Sequence, residues 1–350
     1  MGLNFRNFNL IALRIPLLQS LHWLVHYTFR KMGYQWELRR KGELKIGLWR
    51  QNFRPSKDLK NDLPNETGKL YPKRFVLIPG FGDTPLSWYA VIALLLPLLK
   101  REFDEIILFD LPGFSGFLSR EKCFHSMDAM REMVAEVLDE LKPHTLLGHS
   151  LGGWLVSYYA GAWGAGLRPP VKNLDYRGPA QIILADPSGV FDQDSSKLEW
   201  EEKFRRAMDE GFHILRPHVF FKEPIWFKYV MSEFAAFILK EDVQVFARSV
   251  REDHSVEKLI PQIRAKTWIL WGDQDSLCPT QWVHTWLRLF SFSQAQAKAV
   301  LIKNAGHSIQ IEAPGKTATV LAQILSAKIP HRLGKRWYRV LHAPEIKALT

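Results

Sequence analysis

A serine flanked by glycines, Gly148-His-Ser-Leu-Gly-Gly153, lies between a short apolar run, His144 to Leu147, and a helix-compatible stretch, Trp154 to Ala160. Gly-x-Ser-x-Gly in that context reads as a nucleophile elbow, where a strand turns sharply into a helix and projects the serine hydroxyl. The glycines answer a steric demand, since a Cβ at either position would collide with the neighbouring strand or helix. Such a hydroxyl, given a base, attacks an acyl carbon. Two later segments can supply the base and its orienting acid, in the chain order serine, acid, histidine. Thr267-Trp-Ile-Leu-Trp-Gly-Asp-Gln-Asp275 reads as a buried strand entering an acidic turn, and Ala299-Val-Leu-Ile-Lys-Asn-Ala-Gly-His307 as a strand ending in Gly-His. Both polar ends fall at the carboxyl edge of a strand, where open α/β sheets hold their ligands. Ser150 is the expected nucleophile and His307 the expected base. Asp275 is expected to fix the imidazole tautomer, and Asp273 to cap the turn.

An acyl-transfer site also needs two backbone N–H donors for the developing oxyanion. One is expected from Leu151, the residue after the nucleophile, and the other from Phe81 in the loop Pro79-Gly-Phe-Gly-Asp83 that follows Arg74–Ile78. His149 is expected to pack away from the elbow tip. No histidine pair stands at metal-ligand spacing on a helix, so neither a metal nor a cofactor is expected.

Positioning these groups requires strands that end at one edge. The pattern predicts strand 74–78, helix 85–101, strand 105–109, helix 126–142, strand 144–149, helix 151–163 and strand 181–185. It resumes with strand 267–271, helix 280–290, strand 299–303 and helix 314–328. Regular βα succession predicts an α/β fold with a mainly parallel sheet covered by helices on both faces. A hairpin is expected over residues 34–50 and a polar loop over 51–72. Between Asp186 and Thr267 the rhythm stops, with helices expected at Leu198–Asp209 and Trp226–Phe246, so a helical cap inserted after strand 6 is predicted. The expected division is an amphipathic segment at 1–33, a core at 34–189 and 263–328, a cap at 190–262 and a basic tail at 329–350.

The cap carries twelve aromatic residues: Phe191, Trp200, Phe204, Phe212, Phe220, Phe221, Trp226, Phe227, Tyr229, Phe234, Phe237 and Phe246. A small helical layer cannot hide that many rings against itself. Some are expected to line a channel that favours acyl chains over charged substrates. Cys123 and Cys278 show no framework spacing and are expected as free thiols.

The chain of 350 residues carries a net charge of +11. Residues 1–60 hold 12 Lys and Arg against 3 Asp and Glu, and residues 328–350 hold 6 against 1. Terminal rather than central charge argues against a nucleic-acid groove and suits anionic lipid. Apolar residues recur at helical spacing over residues 8–29, yet the uncharged part, Ile15 to Phe29, is too short for an ordinary transmembrane helix. Arg14 and the lack of a small-residue cleavage site disfavour a signal peptide. The expectation is an interfacial helix on the cytoplasmic side of a membrane; packing on the body of the protein is the alternative.

With these residues in place, the chain resembles the α/β-hydrolase superfamily, and within it the lipases and esterases that include monoacylglycerol lipase-like enzymes. The stretches that carry the resemblance are Ile78-Pro-Gly-Phe-Gly-Asp83, Phe109-Asp-Leu-Pro-Gly-Phe-Ser-Gly116, Gly148–Gly153, Trp271-Gly-Asp-Gln-Asp275 and Asn304-Ala-Gly-His307. Where many relatives carry His-Gly, this chain has Pro79-Gly80. The resemblance implies a Ser150–Asp275–His307 triad, an oxyanion hole at Phe81 and Leu151, and hydrolysis of lipophilic esters such as monoacylglycerols or lysolipids. A small-ester carboxylesterase, a C–C bond hydrolase and a non-enzymatic binding protein are the alternatives.

Overall fold

The computed structural model describes residues 17–53, 72–112, 122–168, 176–190, 195–295, 297–326 and 337–342. The chain runs α1 (Leu17–Lys31), β1 (Gln35–Lys41), β2 (Leu44–Asn52), β3 (Arg74–Ile78), α2 (Tyr89–Glu102), β4 (Glu105–Asp110), α3 (Met127–Leu141), β5 (Thr145–His149), α4 (Leu151–Gly164) and β6 (Gln181–Ala185). Four helices follow, α5 (Ser195–Glu210), α6 (Arg216–Val219), α7 (Phe227–Ile238) and α8 (Glu241–Arg248). The alternation then resumes with β7 (Lys266–Gly272), α9 (Trp282–Phe290), β8 (Ala297–Ile302), α10 (Ile309–Glu312), α11 (Pro314–Leu325) and β9 (Tyr338–His342).

All nine strands form one sheet in the order β1-β2-β4-β3-β5-β6-β7-β8-β9. The six strands from β4 to β8 run parallel. The hairpin β1–β2 adds antiparallel on one side and β9 on the other. Alternating side chains feed two cores. Val76, Ile78, Ile107 and Phe109 join residues of α3, α4 and α9 on one face. Phe75, Leu77, Ile106 and Leu108 join residues of α2 and α11 on the other. Both faces of the central strands are therefore apolar, as a covered parallel sheet requires. β3 pairs β4 on one side and β5 on the other. The strand order reverses there, and the crevice beyond the carboxyl ends of β3 and β5 is the place where such sheets bind ligands.

Three differences from the sequence expectation have physical causes. Within the basic segment 329–350, Tyr338–His342 is an edge strand rather than tail. Its buried Tyr338 and Leu341 were masked in the sequence by the surrounding Arg and Lys. The expected helix Trp226–Phe246 is two helices, because Lys240 is extended at φ −64 and ψ 137, and Glu241 and Asp242 begin a new first turn. The segment 85–101 opens as a 3-10 turn at Pro85–Trp88, capped by the Thr84 hydroxyl. The expected loop 51–72 falls almost wholly outside the described residues, as does much of the Phe109–Gly116 stretch.

Residues 1–16 also lie outside them, but α1 itself is described, and it is packed as well as exposed. Phe29 is buried, with ring centroids 5.1 Å from Tyr34, 5.5 Å from Trp49 and 6.0 Å from Tyr89. Trp23, Leu24 and Tyr27 are exposed on the same helix. No helix among the described residues is long and apolar enough to cross a membrane. Phe29→Ala should therefore lower stability by about 3 kcal/mol, the cost of a large-to-small change in a packed core. Trp23→Ser should leave the chemical-denaturation midpoint close to that of the parent chain. A Phe29→Ala midpoint equal to the parent's would place α1 outside the core.

Candidate active site

Ser150 stands between β5 and α4 at φ 51 and ψ −115, a conformation L side chains rarely adopt. Its backbone is fixed from both sides: its N–H donates to the Ala185 carbonyl at 2.9 Å, and its carbonyl accepts the Ser188 N–H at 3.2 Å. The glycines serve the close approach foreseen for them. A Cβ on Gly148 would strike the Gly152 carbonyl in α4, and one on Gly152 would strike the Ile78 carbonyl in β3. Leu151 is the first residue of α4, and the first N–H groups of a helix have no intrahelical acceptor. An unpaired N–H at the positive end of a helix dipole favours negative charge.

His307 follows β8 and Asp275 follows β7, and both are buried. The His307 Nδ1–H donates to Asp275 Oδ2 at 2.8 Å. Asp275 Oδ1 accepts the N–H groups of Leu277 at 2.9 Å and Cys278 at 3.0 Å. Three donors fix the orientation of that carboxylate, and a proton on Nδ1 leaves the ring's lone pair on His307 Nε2. Asp273 has a different occupation. Its Oδ1 accepts the Asn304 N–H at 2.7 Å, tying the loop after β7 to the loop that carries His307.

Ser150, His307, Leu151 and Phe81 line one cavity of about 490 Å³. Phe204, Phe212, Phe220, Phe227 and Phe246 supply much of its wall from the cap side. The Phe81 ring packs at 5.7 Å from Phe237 and 6.1 Å from Phe246, so the loop after β3 is clamped beneath the cap. Phe221, Trp226 and Tyr229, in contrast, are exposed. The side chains of Phe191, Trp200 and Phe234 lie outside the described set. Cys278 also lines the cavity, but burial, then the nearby Asp275 and Asp186, push its thiol well above the usual range. It is a poor nucleophile. Both cysteines are free and buried. Among the described residues, no group of three or more His, Cys, Asp and Glu could hold a metal ion.

Three further residues support the site through contacts not expected from sequence. His149, expected only to pack, is buried and its Nε2–H donates to the His307 carbonyl at 2.9 Å. Glu312 accepts the Gly306 N–H through Oε2 and the Lys222 N–H through Oε1, each at 2.7 Å, so it joins the His307 loop to the cap. Asp186, at the end of β6, accepts the Gly272 N–H at 2.7 Å. The rule that selects Asp275, an acid just past a buried strand, also flags Asp186 in Ala185-Asp-Pro-Ser188. Glu312 carries no comparable signal.

The alpha/beta hydrolase family profile matches residues 75–320. Monoacylglycerol lipase ABHD6 of Bos taurus is 22% identical over 267 residues, covering 72% of this chain and 75% of its own. Lipase 1 of Psychrobacter immobilis is 23% identical over 266 residues, covering 72% and 77%. Among solved structures, a bacterial membrane phospholipase A described as a virulence factor superposes with a TM-score of 0.60 at 21% identity, over 91% of this chain and 94% of that one. A putative lipase from Acinetobacter baumannii gives a TM-score of 0.61 at 20% identity, over 89% and 97%.

The two acids of the loop after β7 are separable by substitution. Asp275→Asn should lower kcat on a soluble ester about 10⁴-fold, because the amide holds the imidazole in the wrong tautomer. Asp273→Asn removes no proton acceptor from His307 and should lower it less than about tenfold. Greater damage from the second variant would transfer the acid role to Asp273.

Proposed function

The chain belongs to the alpha/beta hydrolase family, and on that premise we propose that it hydrolyses carboxylic esters of lipophilic substrates through an acyl-enzyme on Ser150. The observation that carries the reading is the 2.8 Å hydrogen bond from His307 to Asp275 beside a cavity that also exposes Ser150. The lipases and esterases among its relatives and structural neighbours support it.

His307 Nε2 takes the Ser150 hydroxyl proton as Oγ bonds to the acyl carbon, and the carbonyl electrons move to oxygen. The N–H groups of Leu151 and Phe81 hold that oxyanion, and Asp275 stabilises the imidazolium. His307 then protonates the departing alcohol oxygen as the C–O bond breaks. Water repeats the sequence on the acyl-enzyme, releasing the acid and restoring the Ser150 proton. The aromatic wall favours an acyl chain.

A membrane surface as the source of substrate is a second part of the reading. Lys31 stands over the Tyr27 ring at 5.4 Å, Lys228 over Tyr229 at 4.9 Å and Lys222 over Phe221 at 5.7 Å. α1 and α7 are in contact, and both expose such pairs. An apolar ring with a cation beside it suits the boundary between acyl chains and anionic headgroups.

Ser150→Ala and His307→Ala should each lower ester hydrolysis by about 10⁴-fold or more, and the double variant should lose little beyond either. A fluorophosphonate should label the parent chain and not Ser150→Ala. Hydrolysis across a p-nitrophenyl ester series should favour medium or long acyl chains; preference for acetate would point to a small-ester carboxylesterase. In a separate measurement, the chain should sediment with anionic vesicles in low salt and less so in high salt. The combined change Trp23→Ser, Leu24→Ser and Tyr27→Ser should release it while sparing turnover of soluble ester. Release accompanied by loss of that turnover would contradict the membrane role.

A further inference from the structure

The side chain of Asp186, which the steps above do not use, is wholly buried. Its backbone is at φ 43, a region Asp and Asn tolerate better than other side chains. Oδ1 accepts the Gly272 N–H at 2.7 Å. Oδ2 receives no N–H from any described group, and the carboxyl lies within hydrogen-bonding reach of Asp275. Two carboxyls within hydrogen-bonding reach of each other in a dry interior resist being ionised together. The proton settles on the acid with fewer donors. Asp275 accepts three N–H groups, and Asp186 accepts one.

The other ionisable groups facing Asp186 agree. Burial first, then the charge of Asp275, push its carboxyl well above the usual carboxylate range, and Glu312 adds in the same direction. The Gly272 N–H opposes the shift. Cys278, also close by, has its own thiol pushed up by burial. None of the largest influences on Asp186 comes from a lysine or arginine among the described residues.

We propose that Asp186 is a positioning residue for this same ester hydrolysis, neutral at the working pH, whose Oδ2–H donates to Asp275 and holds that carboxylate ionised and aimed at His307 Nδ1. Neutralising one carboxyl of the pair lets the other approach it and the imidazole without like-charge repulsion. The inference rests on the esterase reading for its catalytic consequence, but the shared proton is measurable without substrate.

Asp186→Asn is the informative variant. It offers an amide N–H where the acid O–H stood, keeps an oxygen for Gly272 and tolerates the positive φ. Asp186→Gly fits the backbone and removes both bonds. The unfolded chain loses the Asp186 proton near pH 4 and the folded chain keeps it to higher pH, so this group's contribution to stability falls as pH rises above about 4. The Asn variant has no such proton. Its Tm relative to the parent should rise by about 5 °C between pH 4 and pH 8. A difference that is flat, or that falls with pH, overturns the proposal.

On soluble ester, Asp186→Asn should keep kcat within about threefold, whereas Asp186→Gly should lose about 10- to 100-fold. The acid limb of the Asn variant's pH profile should stay where the parent's lies. If Asp186 were charged, removing that charge would weaken the imidazolium and move the limb down by about one pH unit. Such a movement, or an Asn variant as impaired as the Gly variant, overturns the proposal. An inactive parent chain with the expected Tm series would remove the esterase reading and leave the shared proton standing.

Discussion

The contact between α4 and β3 is the constraint from which the site hangs. Gly152 brings the first turn of α4 against the Ile78 carbonyl, and Gly148 lets the end of β5 pass beneath that turn. The approach brings the Leu151 N–H to the same cavity as the loop after β3, where Phe81 lies. It also drives Ser150 to φ 51, which costs on the order of 1–2 kcal/mol. That strain persists because the Ser150 N–H and C=O are both bonded to the segment around the end of β6. A hydroxyl on such a residue is held in place before any substrate arrives, so orientation is settled in folding and not at the moment of reaction.

The same strand ends brace one another across the sheet. Ser150 N–H bonds to Ala185, Asp186 N–H to Leu270, Asp273 N–H to Ile302 and Gln274 N–H to Ala305. Each link joins the end of one strand to the next in the order β5, β6, β7, β8. Side-chain acids continue the series, with Asp186 on Gly272, Asp273 on Asn304 and Glu312 on Gly306. Ser150, Asp275 and His307 are thus carried on rungs of one brace, although Ser150 and His307 are far apart in sequence. A displacement at β6 is transmitted to both neighbours, which is why a buried acid at that position bears on the orientation of its partner.

What was legible in the sequence follows from how local each signal is. The elbow, the parallel strands and the acid and histidine after β7 and β8 each announce themselves within a few residues. Glycine spacing, apolar runs and strand-end polarity are all short-range signals. Strand β9 did not, because its period-2 pattern is short and set among arginines and lysines, and only pairing with β8 makes it a strand. The break at Lys240 was readable from Glu241 and Asp242 but was overridden by the long apolar periodicity. His149 and Glu312 were beyond reach, since their roles depend on carbonyl and N–H groups that the fold brings from elsewhere. The amphipathic N-terminal pattern offers a choice between membrane and core, whereas α1 divides its faces: Phe29 is buried, and Trp23 and Tyr27 are exposed.

The cap is attached by more than apolar packing. Trp154 donates to the His254 carbonyl at 2.8 Å, Cys123 N–H to Asp242 at 2.6 Å and Met127 N–H to Ser249 at 2.8 Å. With Glu312 holding Lys222, these bonds fix the aromatic wall relative to the sheet, so the cavity is largely formed in advance. The Phe81 ring lies between that wall and the backbone that would supply one oxyanion donor. On the esterase reading, a cap substitution that alters the fit of the acyl chain should also shift the ring, and through it the donor. Binding energy from a well-fitting chain is then expressed where charge develops in the transition state, so chain-length preference should fall on kcat as well as KM.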